Sequence, residues 1–340
     1  MTNKHQVLVI GGGSFGTVLA DIVATNGHDS CLWMRDKQQA DRIRQSRANE
    51  RYLPGYTLHP TLQISTDLSS AIAAADTILF SVPSKVFRSV LDQVKGFIRP
   101  EQYLITTTKG IEPEHFLLMS QVLEVYFPNN SIGVISGPNL AKEIAAKHLA
   151  GTVIASDNAD LRQRLQDLLQ CAFFRVYASN DRYGVELGGA LKNIYAIAAG
   201  LSAAMDMGEN TRSMLMTRSL AEMSRLAVQM GANPLTFLGL SGVGDLIVTC
   251  NSPLSRNYRI GYALGQGKSL ADAIEELGEV AEGVNTLALV KQQADKLELS
   301  MPLVDALYAL VYQQADASTM VTSLMGRDQN SDVEFVLQRS

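Results

Sequence analysis

The sequence predicts an α/β protein: an N-terminal doubly wound sheet followed by an all-helical C-terminal domain. Three observations carry this. Short β-branched runs alternate with helical stretches as far as Ser179. Strand signals vanish from Tyr183 onward. At 340 residues the chain is long enough for two domains with a sizeable core, and we place the boundary so as to give domains 1–182 and 183–340. Hydrophobic residues make up 46% and charged residues 19%, as in ordinary globular proteins. The net charge of −5 argues against broad nucleic-acid binding but leaves room for a local basic pocket. Cys31, Cys171 and Cys250 are too few and too scattered for a disulfide framework or a zinc site. The N-terminus runs straight into a strand without the regions of a signal peptide, and no stretch approaches a transmembrane span. The expectation is a cytoplasmic protein without a metal.

Gln6 to Ile10 reads as a buried strand, and it breaks at Gly11-Gly12-Gly13-Ser14-Phe15-Gly16. The helix that follows turns Phe15, Val18, Leu19, Ile22 and Val23 inward and stops at Asn26-Gly27. A second strand runs from Ser30 to Met34. A lone G-x-G-x-x-G is weak, but strand, motif, helix, cap and second strand together make a Rossmann-like dinucleotide site. Gly11, Gly13 and Gly16 allow the tight turn, the approach of backbone to a pyrophosphate and close packing of helix on sheet. The pyrophosphate then meets the helix N-terminus, where N–H groups and the dipole favour an anion. After the second strand comes Arg35-Asp36. A guanidinium suits the 2′-phosphate of NADP, whereas Asp36 keeps NAD open, and a solvated charged turn is the ordinary alternative.

Further strands end in the same manner. Thr77 to Val82 stops at Pro83-Ser84, Tyr103 to Thr108 at Lys109-Gly110, and Ile132 to Ile135 at Ser136-Gly137-Pro138-Asn139. Ligands of open parallel sheets lie beyond the carboxyl ends of the strands, so Lys109 is placed toward the crevice. Segments 152–156 and 174–179 read as the last strands, with a helix over Leu161–Leu169 between them.

The helical half opens on Val185 to Ala204. Leu187, Leu191, Ile194, Tyr195, Ala198 and Leu201 form one apolar face, and alanine and glycine cover most of the rest, the mark of a buried helix. Yet Lys192 and Asn193 sit in its middle, and a buried ammonium needs a charged partner. Asp206 to Arg212 reads as a polar turn, followed by a helix from Ser213 to Met230. Asn233-Pro234 takes the N-cap and first position of the next helix, which runs through Gly242-Val243-Gly244-Asp245 to Thr249-Cys250. The loop Asn251 to Asn257 leads into a helix near Tyr258, Ser269 with Asp272 forms a capping box, and Pro302 opens another helix.

GGGSFGT, ATNGHDSCLWMRD, RYLPG, VPS, TTKGIE, ISGPNLAKE, VELGGALKN, TRSLAEMSRL, GVGDLIVTC, SRNYRIG and VAEGVNT occur in that order across both halves. The set resembles NAD(P)-dependent glycerol-3-phosphate dehydrogenase of the bacterial type. The resemblance implies reversible reduction of dihydroxyacetone phosphate to sn-glycerol 3-phosphate, a precursor of phospholipids, by a homodimer. It makes Lys192 the proton donor or acceptor at the reacting oxygen. It places Lys109, Gly137, Asn139, Lys192, Asp245, Ser255, Arg256 and Asn257 at the substrate. Ser14, Phe15, Arg35, Lys109, Ala141, Arg256, Val280 and Glu282 fall on cofactor positions beside the glycine-rich turn. Asn139 stands where many relatives have serine or threonine, Phe15 where tryptophan is common, and Gly151 where a proline is frequent. The chemistry fits these roles, since hydride addition to a ketone builds negative charge on its oxygen and calls for a proton donor and nearby cations. Taken singly, Asp245 would be a cap, Arg256 a surface charge and Glu282 a solvated helix residue. A related 2-hydroxyacid or hydroxyacyl dehydrogenase shares the plan but not the SRN and GVGD segments. A dinucleotide-binding sensor without turnover would lack one of Lys109, Lys192 and Arg256.

Overall fold

The structure, a computed structural model, describes residues 4–278 and 282–326. The chain divides into two compact units, Met1–Glu186 and Leu187–Ser340. Among the described residues no helix is long and apolar enough to cross a membrane.

The first unit is built on an eight-stranded sheet. Its elements begin with β1 (Gln6–Ile10), α1 (Ser14–Thr25), β2 (Asp29–Trp33), α2 (Lys37–Ser46), β3 (Gln63–Ser65) and α3 (Leu68–Ala74). They continue through β4 (Thr77–Phe80), α4 (Phe87–Val94), β5 (Tyr103–Thr106), a hairpin of β6 (Ile111–Glu112) and β7 (Leu117–Leu118), and α5 (Met119–Tyr126). Then come β8 (Ile132–Ser136), α6 (Ala141–Ala145), β9 (Ala150–Ala155), α7 (Ala159–Leu169) and β10 (Phe174–Ser179). The sheet order is β10-β9-β8-β5-β4-β1-β2-β3. Successive residues of β1 serve opposite faces: Val7 and Val9 join the core under α1 and α7, Leu8 and Ile10 the core under α4 and α5. The order reverses at β1, between β2 and β4, so the glycine-rich turn lies at the topological switch point where ligands of such sheets bind.

One part of the sheet departs from parallel pairing. β9 pairs antiparallel with β8, and β10 runs parallel to β9. The connection explains it. A crossover must carry the chain back along a five-residue strand of about 16 Å, whereas the five residues of α6 rise only about 7.5 Å. The chain therefore turns over and returns alongside.

The second unit is helical. Helix α8 (Arg182–Ala204) leads into it, followed by α9 (Gly208–Gln229), a short 3-10 segment Pro234–Leu238 and a π-helical turn Leu240–Gly244. After these come α10 (Asp245–Asn251), α11 (Arg256–Gly265), α12 (Leu270–Leu277), α13 (Glu282–Lys296), α14 (Pro302–Gln313) and α15 (Ala317–Met325). Every residue of α8 from Gly184 to Ser202 is buried, as its small-residue composition requires. The segment 208–212 is helix, where the sequence reads as turn. Left-handed backbone at Asp206 and Gly208 compresses the turn, and Glu209 with Arg212 forms an ion pair at 3.0 Å along the first turn of α9. The Asn233 side chain does cap the next segment, accepting from the Leu235 N–H, but that segment is 3-10 and only five residues long.

Helix α11 crosses α8 where both lack side chains. A Cβ on Gly261 would stand 2.6 Å from the Ile197 carbonyl carbon, and one on Gly200 would stand 2.8 Å from that of Tyr258. The obstruction is backbone on both sides, so no rotamer change relieves it. Gly261→Ala should therefore destabilise the protein by about 1–3 kcal/mol. Thermal unfolding should show a Tm several degrees below the parent; an unchanged Tm would mean that the two helices are not packed this closely.

Candidate active site

In the sheet-bearing unit the glycine-rich turn is shaped by its neighbours. Gly11 leaves β1 at φ +123°, in the left-handed region, and a Cβ there would meet the carbonyl carbon of Ser81 at 2.8 Å. A Cβ on Gly16 would come within 3.0 Å of the Ser81 Cβ. Gly13, the N-cap of α1, has nothing within 4 Å of its Cβ position. The helix carries neither a side-chain cap nor an acidic residue in its first turn. An open approach, first-turn N–H groups and no competing carboxylate fit the phosphates of a dinucleotide. Ser14 turns its hydroxyl away to donate to the Tyr52 carbonyl at 2.9 Å. Phe15 is half-buried against the sheet core.

Arg35 follows β2 and is exposed. Asp36 beside it is the N-cap of α2, accepting from the Gln39 N–H at 3.0 Å. That hydrogen bond holds its carboxyl below the ordinary aspartate range. The carboxylate is thus committed to the helix end, which leaves the guanidinium as the side chain presented at this position.

Beyond β5 and β8, Lys109 donates from Nζ to the Gly137 carbonyl at 3.0 Å. Gly137 is at φ +134°, and this conformation lets its carbonyl serve the lysine. Asn139 donates from Nδ2 to Thr152 Oγ1 at 3.0 Å, while its Oδ1 is buried with no hydrogen-bond partner among the described residues. An orphaned buried acceptor is a candidate partner for a ligand hydroxyl. Ala141 opens α6 and is half-buried.

In the helical unit Lys192 is 6% exposed and Asp245 not at all. They form an ion pair. Lys192 also donates to Thr249 Oγ1 at 2.6 Å, and the Thr249 hydroxyl donates to the Asp245 carbonyl at 2.6 Å. Asp245 and Thr249 reach the same ammonium because they are four residues apart on α10. Thr249 belongs to the site although motif reading passed over it; its spacing from Asp245 is the signal that finds it. Cys250 next to it is buried, its thiol pushed up to about 12 by burial, so it keeps its proton near neutrality.

Ser255 caps α11, accepting from the Tyr258 N–H at 3.3 Å. Arg256 is the first residue of that helix and is exposed. Asn257 is buried and occupied on both sides: Nδ2 donates to Asn193 Oδ1 at 3.0 Å, and Oδ1 accepts from the Gly283 N–H at 2.9 Å. It ties α11 to α8 and α13. Glu282 is the first residue of α13 and half-buried; Val280 lies outside the described residues.

Comparison with known proteins points one way. Residues 6–162 match the family described as NAD-dependent glycerol-3-phosphate dehydrogenase N-terminus, and residues 181–322 the corresponding C-terminus. The chain is 53% identical over 335 residues to the glycerol-3-phosphate dehydrogenase [NAD(P)+] of Teredinibacter turnerae, covering 98% of each protein. A second relative with the same name, from Pseudomonas syringae pv. tomato, is 53% identical over 99% of this chain and 98% of its own length. The crystal structure of glycerol-3-phosphate dehydrogenase from Coxiella burnetii superposes with a TM-score of 0.90 at 35% identity, covering 95% of this chain and 99% of that one.

Asp245 is the buried countercharge to Lys192, and its neutralisation should be felt by the whole helical unit. Asp245→Asn keeps the shape and removes the charge, leaving an ammonium in a nearly dry site. It should cost about 3–5 kcal/mol, read as a lower urea midpoint with an unchanged slope. A variant as stable as the parent would show that Lys192 finds its compensation elsewhere.

Proposed function

We propose, because the chain belongs to the NAD-dependent glycerol-3-phosphate dehydrogenase family, that it reversibly reduces dihydroxyacetone phosphate to sn-glycerol 3-phosphate with NAD(P)H. It is an oxidoreductase, and the observation that carries the reading furthest is the buried ammonium of Lys192 held by Asp245 and Thr249. A buried charge kept in one orientation by a carboxylate and a hydroxyl is a structural expense that a merely packed helix would avoid. As a general acid it gives a proton to the carbonyl oxygen where negative charge develops, and takes one back in the reverse direction. Asp245 fixes its position and neutralises the ammonium while it holds the proton.

When bound, the reduced nicotinamide cofactor supplies the hydride. The residues that would hold it are the turn Gly11, Gly13, Ser14, Phe15 and Gly16, with Arg35, Lys109 and Ala141 in the same unit and Arg256 and Glu282 in the other. In this reading Gly137, Asn139, Ser255, Arg256 and Asn257 bind the substrate. The phosphate group is the charge of Arg256, whose guanidinium can take two of its oxygens at once. Asn257 acts mainly by holding α11 against α8, as its two committed hydrogen bonds support. The enzyme works as a cytoplasmic homodimer and supplies glycerophospholipid synthesis.

A solved ketopantoate reductase from Ralstonia eutropha shares the fold, superposing with a TM-score of 0.57 at 17% identity. That likeness concerns the fold alone. The assay that tests the proposed substrate follows NADPH absorbance with dihydroxyacetone phosphate, then with NADH, and then with unphosphorylated dihydroxyacetone. Efficient turnover that depends on the phosphate is expected; equal use of the unphosphorylated ketone would overturn the substrate assignment.

Cofactor choice follows from Arg35 being exposed while Asp36 is committed to its helix. Arg35→Ala should weaken NADPH binding by about tenfold, or 1.4 kcal/mol, and leave NADH binding nearly unchanged. Fluorescence titration of both cofactors checks this, and equal losses would remove the basis for an NADP preference.

A further inference from the structure

We propose that Asn49, in the loop after α2, is a positioning residue that sets which way the glycine-rich turn points its backbone. The proposal rests on the reading that this turn takes the pyrophosphate of the dinucleotide.

Asn49 is 1% exposed, although it lies in a loop. All of its side chain is spoken for. Nδ2 donates to the Gly12 carbonyl at 3.0 Å and to Thr17 Oγ1 at 2.8 Å, and Oδ1 accepts from Gln39 Nε2 at 3.0 Å. Three residues on, the Tyr52 carbonyl receives the hydroxyl of Ser14. The loop is thus fastened to the glycine-rich turn at two points, one before and one after the start of α1.

The bond to Gly12 has a directional consequence. In a trans peptide the C=O and the next N–H point to opposite sides of the chain. Drawing the Gly12 carbonyl toward Asn49 turns the Gly13 N–H to the opposite side of the chain. Among the described residues, no acceptor is hydrogen-bonded to that N–H. It is therefore available to an anion. Two consecutive glycines offer little resistance to rotation of the peptide between them. Without an external tie, the peptide could turn its carbonyl toward the ligand and repel a phosphate instead of binding it. The Met34 side chain closes the other flank, since a Cβ on Gly12 would come within 2.8 Å of Met34 Cε. Asn49 is the tie. Its donor amide, rather than its bulk, is what the turn needs, and Gln39 fixes which end of the amide faces Gly12.

Asn49→Asp separates these functions. The carboxylate is isosteric and accepts from Gln39 and from the Thr17 hydroxyl, yet it cannot donate to Gly12 and repels its carbonyl. NADPH and NADH should both bind at least tenfold more weakly, with their affinity ratio kept, because both share the pyrophosphate. The KM for dihydroxyacetone phosphate and kcat at saturating cofactor should change little in protein that circular dichroism shows to be folded, while Tm falls because the carboxylate is buried without a cation. Thr17→Val is the control: it removes the second partner of Nδ2 but leaves the bond to Gly12, so cofactor affinity should stay within twofold. If the parent binds neither cofactor, the dinucleotide reading of the turn falls. If the parent binds and Asn49→Asp binds as tightly, or if both variants lose affinity alike in step with Tm, Asn49 is a structural residue only and the proposal is overturned.

Discussion

The helical unit is organised around one buried ion pair. An ammonium on a helix that is apolar on nearly every face is tolerated only because Asp245 reaches it from α10 and Thr249 completes its hydrogen bonding. Much of the surrounding architecture meets the demands of that arrangement. The glycine at 188 admits the backbone of Ser241 within 2.6 Å of its Cβ position, bringing the π-helical turn and the start of α10 against α8. Gly200, Gly261 and Gly283 let α11 and α13 approach in the same way, with Asn257 bridging them to Asn193. Small residues, polar links and close helix contacts here serve one purpose: to hold a charged nitrogen in one place inside a dry core.

The sheet-bearing unit is governed by a different constraint, the need to leave backbone N–H groups unoccupied at a strand end. Gly11 and Gly16 are required by contact with Ser81, while among the described residues nothing lies within 4 Å of a Cβ on Gly13. A glycine with open space around it, at the uncapped start of a helix, leaves room for a ligand to approach the backbone. The neighbouring side chains turn away: Ser14 to Tyr52, Asp36 to its own helix, Asn49 to Gly12. The site is kept receptive by giving each competing polar group another partner.

Most of this was legible in the residues themselves. The strand-turn-helix at 6–25 and the breaks at Lys109 and Gly137 follow from hydrophobic period and glycine placement. So do the buried helix carrying Lys192 and the caps at Asn233 and Ser269. What escaped was set by tertiary context. β3 has three residues, and β6 and β7 two each, too few to show a period. The reversal of β9 depends on the length of α6, which no local pattern announces. The turn at 206–212 shrank because Asp206 accepts left-handed backbone beside Gly208. Thr249 and Asn49 act through side-chain hydrogen bonds to partners elsewhere in the fold, and hydrophobic period carries no trace of these.

Under the proposed function, Lys192 is the proton donor and not merely a neutralised buried charge. The most direct test of this role is Lys192→Met, assayed for turnover of dihydroxyacetone phosphate and, on the same preparation, for NADPH affinity and native circular dichroism. If Lys192 donates the proton, the variant is a folded protein that binds NADPH as the parent does and turns over about 10²–10⁴-fold more slowly. A folded variant with turnover near that of the parent would contradict that role.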